Sequence, residues 1–188
     1  IIIKIRELFV KSTPEEIGEI AGHEFPDIVL VKHLPEKIIT YGDPIIVQGD
    51  NGQVSLGCAL DQIGFTGELW HRVLRLPPNC QPAQDQLRKM VDHYPTGVFH
   101  YQGNSIIDQS IQEQIDRVKG QLIGIVAPDS DVMKLKIEIV RSDLDLFEGR
   151  LVEVLIGSET VLYQIVNGLT REEIVEQRNS RGYVRAEA

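Results

Sequence analysis

Gly49-Asp50-Asn51-Gly52 separates two apolar runs, PIIVQ at 44–48 and QVSLGCAL at 53–60. An Asn-Gly step between β-favouring runs supplies the positive φ angles of a tight hairpin, so the two runs are tied as antiparallel neighbours. The same grammar of brief apolar runs punctuated by turn residues extends from Asp27 to Leu76, through DIVLVKHL, YGDPIIVQ and FTGELWHRVLRL. A β-meander or part of a barrel follows from this spacing. The stretch before it, STPEEIGEIAG, predicts a short helix instead. Thr13 is its cap, Pro14 its first position, Glu16 the partner in a T-x-x-E box and Gly22 its stop. Ile1 to Val10 has the β-branched enrichment of a strand.

PPNCQP ends the meander, and Ala83 to Tyr94 then places Leu87, Met90, Val91 and Tyr94 at helical spacing. One strand is expected in TGVFHYQG at 96–103. After it, Ile107, Ile111, Ile115 and Val118 mark an amphipathic helix ending at Gly120. The last third offers short strands in QLIGIVAPDSD, VMKLKIEIV, LFEGRLVEVLIG and TVLYQIVNGL. In the second, Met133, Leu135, Ile137 and Ile139 alternate with Lys134, Lys136 and Glu138. Evenly spaced short strands of this kind predict a small barrel. LTREEIVEQRNSRG reads as another capped helix, with Thr170 and Glu173 as its box and Gly182 as its stop, leading to a strand at YVRAEA. The expected fold is therefore β-rich α+β. It comprises a strand–helix and β-meander region at 1–78, a helical connecting region at 79–119 and a small β-barrel at 120–188.

Composition narrows the chemistry. Hydrophobic residues at 42% and charged residues at 25% suit an ordinary globular core. No apolar run approaches the ~20 residues of a membrane helix, and a cytoplasmic protein with no membrane partner is the default expectation. A net charge of −9 opposes direct phosphate binding, which rests on Lys and Arg neutralising the nucleic-acid backbone. Cys58 and Cys80 lack a C-x-x-C pairing and read as reduced thiols. No Gly-Lys pair occurs, so these residues are not a self-contained P-loop ATPase.

Other chemistries leave only fragments of a pattern. Ser55 lies in G-x-x-S-x-G rather than the G-x-S-x-G of a nucleophile elbow. Asp129, Asp131 and Glu138 come near a metal-dependent nuclease pattern, but Val140 stands where a lysine would be wanted, and the aspartates suit a turn. Asp143, Asp145 and Glu148 lack the ligand spacing of a calcium loop. His23, His33, His71, His93 and His100 are scattered without H-x-x-x-H spacing and read as structural. No catalytic, cofactor-binding or metal residue is therefore assigned. ELWHRVLRL gathers the single Trp70 with Arg72 and Arg75 as a candidate partner-contact platform. The plainer alternative has Trp70 in the core and both arginines facing water.

Three motifs in 120–188 point to a family: Ile-Gly-x-Val at Ile123 to Val126, Glu148-Gly149 before RLVEV, and VLYQIVNG at 161–168. With them, Gly120 to Ala188 resembles the N-terminal barrel region of HerA-like ATPases, the hexameric DNA translocases of the HerA/FtsK group. The small barrel is also similar to the N-terminal barrels of rotary ATP synthase catalytic subunits. The resemblance implies a non-catalytic assembly and partner-docking region. ATP, magnesium and DNA would be engaged by a further domain beyond Ala188, with Arg178, Arg181 and Arg185 in the connection. It also implies a hexameric homo-oligomer and a nuclease or other effector as partner. A stand-alone ligand- or oligonucleotide-binding barrel and a metal-dependent nuclease are the alternatives.

Overall fold

The computed structural model describes residues 14–65, 67–101, 109–141, 146–156, 159–167 and 184–188. Its chain divides into two compact units, Ile1–Gln62 with Leu69–Gly120, and Ile63–Glu68 with Gln121–Ala188. The strand expected at Ile1 to Val10, the helix expected at 169–182 and the calcium-loop candidates Asp143 and Asp145 lie outside the described residues.

Six strands of the first unit close into an antiparallel barrel: β1 (Glu16–Phe25), β2 (Ile28–His33), β3 (Pro44–Gln48), β4 (Val54–Phe65), β5 (Glu68–Arg75) and β6 (Gly97–His100), in the order β1-β2-β5-β4-β3-β6. The β3–β4 hairpin turns where the sequence requires it. Gly52 takes φ +71°, the Gly49 amide donates to Gln53 and the Asn51 side chain accepts from the Gln53 amide. Closure comes from β6, whose Val98 and Phe99 pair with Gly18 and Glu16 of β1 while the same strand pairs with β3 on its other side.

β1 corrects the expected N-terminal helix. EIGEIAGHEF is a strand, because a segment this short does not hold a helix alone and Gly18 and Gly22 each cost a helix about 1 kcal/mol relative to alanine. In the strand the same residues gain partners. Ile17 is buried in the barrel, and a Cβ on Gly18 would lie 2.6 Å from the Lys32 carbonyl, so glycine permits the close approach of β2.

Strand alternation builds two cores. Ile17, Val29, Val31, Ile45, Val47 and Val73 belong to one cluster, filling the barrel interior. Ile46, Leu56 and Phe99 point outward from the barrel and meet Leu87 and Val91 of helix α1 (Gln84–Val91) and Ile111 and Ile115 of helix α2 (Gln109–Gln121). Both faces of β3 are thus covered, which is why PIIV reads as continuous apolar sequence rather than as alternation. The helical stretch 79–119 belongs to this unit. It supplies the outer layer and the closing strand.

In the second unit β7 (Gly124–Val126), β8 (Lys136–Ile139) and β11 (Val184–Glu187) form a sheet in the order β11-β8-β7. β9 (Leu151–Ile156) and β10 (Glu159–Gln164) form a two-stranded hairpin. An antiparallel bridge between Asn167 and Glu187 and a 3.0 Å bond from the Val166 amide to the Glu187 carbonyl join the two sheets. Leu135, Ile137, Val152, Ile165 and Ala188 are their common core. The protein is β-rich with a closed barrel, as the sequence predicts, but the closed barrel lies in the N-terminal part. Among the described residues, 120–188 contains the two bridged sheets. The predicted alternation in VMKLKIEIV holds only at Leu135 and Ile137. Met133 is exposed in a turn, and Glu138 is buried.

Candidate docking surface

The platform expected around Trp70 does not assemble. All three residues lie on β5, but Arg72 is 0% exposed. Its Nε and Nη2 donate to the two carboxylate oxygens of Asp61, each at 2.7 Å, and its Nη1 lies 3.6 Å from Glu24 Oε2. This two-pronged pairing, drawn from β1, β4 and β5, commits the guanidinium to the fold. Neither expectation for Arg72 stands, because it faces neither a partner nor water. Trp70 and Arg75 are half-buried, and Arg75 Nη2 lies 3.0 Å from His23 Nε2.

The remaining sequence candidates have structural work. Asp131 accepts the Met133 and Lys134 amides at 2.7 and 2.8 Å, which makes it the turn-forming residue the sequence suggests. Asp129 pairs with Lys136 Nζ at 2.6 Å, and Glu138 is buried on β8. No group of three or more metal-ligating side chains is found among the described residues. Ser55 sits in β4 opposite Val47 as a strand residue, and Glu148 is an exposed residue of the turn before β9. Cys58 and Cys80 are free thiols. Among the described residues, no helix is long and apolar enough to cross a membrane.

The surface that stands out was not singled out by sequence reasoning. In the β9–β10 hairpin, Val152 pairs with Tyr163 and Val154 with Val161, and Val152, Val154 and Tyr163 pack on the core of the second unit. Their neighbours Leu151, Leu155 and Leu162 therefore project from the opposite face, 61%, 71% and 61% exposed. Glu153 pairs directly with Leu162, leaving Leu151 and Leu155 as the diagonal neighbours of Leu162. Leu155 also lines a mainly apolar groove of about 430 Å³ with Ile156, Val154, Val126, Leu135 and Val132, to which Ser130 and Asp131 add a polar edge. The groove wall is held in place by the Tyr163 hydroxyl, which donates to the Val132 carbonyl at 3.2 Å. Leu155 is the residue common to the leucine face and the groove lining.

The signal for this face was present in RLVEVLIG and TVLYQIV, where apolar residues occupy both phases of the strands. Period alone does not say whether the second phase is covered. Comparison with family models, with curated proteins and with solved structures finds no match.

Proposed function

We propose that this chain is a non-catalytic assembly and docking region that works by protein–protein contact through the exposed face of β9 and β10, with a second copy of the chain as its occupant. The observation that carries the reading is the grouping of three exposed leucines, Leu151, Leu155 and Leu162, around Glu153 on one face of the hairpin, with the groove that Leu155 also lines. Full burial of a leucine is worth about 1.5–3 kcal/mol, so at these exposures the three leucines leave roughly 3–6 kcal/mol of burial open to an interface. Isolated exposed leucines are ordinary, but three grouped diagonally on one strand-pair face mark a contact surface. The resemblance of 120–188 to the HerA-like barrel region agrees with this reading. Under it the ring, the ATP and the DNA belong to a larger assembly in which this region joins subunits or receives an effector.

Sedimentation velocity over a concentration series is the test. The chain should associate as concentration rises, and Leu155→Glu or Leu162→Glu should return it to monomer with its fold intact by circular dichroism. A chain that stays monomeric up to roughly 100 μM, weaker than the micromolar association an interface of standard size commonly reaches, overturns self-association through this face.

A further inference from the structure

The barrel interior of the first unit holds one ionisable ring that its apolar surroundings do not explain. His71 pairs with Val31 across β5 and β2, and so points to the same side as Val31 and Val73, into the barrel. It is 7% exposed, and its Nδ1 has no hydrogen-bond partner among the described residues. His33 lies two residues after Val31 on β2, and its ring meets that of His71 edge-on, with centroids 5.2 Å apart at 73°.

Between β2 and β3 the chain crosses from one strand to another that is not its neighbour in the barrel. It does so through 34–43, a segment that drops Ile39 into the interior cluster. His71 is hydrogen-bonded to the backbone at Ile39. The segment is otherwise held by an ion pair from Lys37 Nζ to Glu15 at 2.6 Å, by the Ala59 amide donating to the Asp43 carbonyl, and by bonds at its two ends. The Leu34 amide donates to the Ile17 carbonyl, the Gly42 amide donates to the Ala59 carbonyl, and Thr40 binds the Asp43 carboxylate through its amide and hydroxyl at 2.7 Å each.

We infer that His71, with the His33 ring against it, forms an acid-released latch on the segment 34–43, which plugs one end of the barrel while the His71 ring is neutral. His71 can accept a proton only at a buried nitrogen with no acceptor facing it, where the charged ring would lose its hydration without a compensating bond. The charged groups facing His71 are His33 on β2, Asp43 in the crossing segment and Asp61 on β4. Asp61 is already bound to Arg72. Burial, the largest influence, and the His33 ring hold His71 below the ordinary histidine value of 6.5, against the opposing pull of the Ile39 backbone and the two aspartates. The sign follows from linkage. A base whose closed-state value is lowered leaves the closed state favoured above about pH 6.5, and the open state gains as pH falls below it, by at most tenfold per pH unit.

Hydrogen exchange at pH 7.5 and 5.5, corrected for intrinsic rates, tests the latch. This window lies above the titration of ordinary carboxylates. The opening constant of the Gly42 amide should rise several-fold at pH 5.5 while the β2–β5 ladder amides keep their protection. His71→Leu should abolish the rise. Should that variant not fold, His33→Gln at the half-buried partner should shrink it by removing the opposing charge. An unchanged Gly42 opening constant, a rise spread evenly over the whole barrel, or a full rise retained in His33→Gln would each overturn the latch.

Discussion

Removing the Asp61 carboxylate while leaving Arg72 in place isolates the cost of an unbalanced charge in the barrel unit. Arg72 is 0% exposed and Asp61 is 21% exposed, so solvent screens the pair weakly. Two opposite charges about 4 Å apart attract by about 4 kcal/mol at an effective dielectric of 20. That agrees with the about 3–5 kcal/mol usually lost when one member of a buried pair is deleted. Asp61→Ala should therefore cost about 3–5 kcal/mol, since Glu24 at 3.6 Å is a poorer substitute. For a chain of 188 residues this corresponds to a fall of about 6–20 °C in Tm. Arg72→Met should also destabilise, and the double variant should lose less than the sum, with a coupling of about 2 kcal/mol. Urea unfolding followed by the fluorescence of Trp70 reports on the right unit, because Trp70 is the single tryptophan and lies on β5 beside Arg72. A loss below about 1 kcal/mol for Asp61→Ala, or additive single variants, would refute the reasoning, since either means the guanidinium is as well solvated as a surface arginine.

Two further outcomes follow from packing and burial. A Cβ on Gly57 would lie 2.8 Å from the Leu74 carbonyl oxygen and 2.8 Å from Val73 Cγ1, so Gly57→Ala should cost about 1–3 kcal/mol in urea unfolding. Gly120→Ala near the end of α2 meets nothing within 4 Å and should stabilise by up to about 1 kcal/mol. Cys58 is buried and its thiol is pushed up to about 11, chiefly by that burial, whereas Cys80 is half-buried. A thiol reagent at pH 8 should therefore modify one cysteine quickly and the second only on unfolding, with mass mapping placing the fast site at Cys80.

The legible parts of the fold are those with local causes. The 49–52 hairpin was readable because the glycine conformation and the flanking β-branched runs act within a few residues. α1 and α2 were readable because Leu87, Val91, Ile111 and Ile115 recur at the period of the face they bury. β1 was not readable. Its capping signature is local, but its conformation is decided by β2 and β6, which arrive from positions far along the chain. The Arg72 pair leaves a faint trace in the sequence. Asp61 and Arg72 are nearly equidistant from the turn at Gly67, and a carboxylate in CALDQIGF needs a partner if that run is buried. At the docking face the sequence carried apolar residues in both phases of β9 and β10, which identifies a strand pair but not what covers its second face.

A β-rich chain, the 49–52 hairpin, the helices α1 and α2 and the turn-bound Asp131 thus follow from local cause, since they rest on backbone propensity and on periods of two or 3.6 residues. Where the barrel closes, the full burial of a charged arginine, the meeting of two histidines and the exposure of three leucines come instead from the assembled fold. Each of those depends on which distant strand becomes a neighbour, and pairing across long separations leaves no periodic mark on the residues that take part.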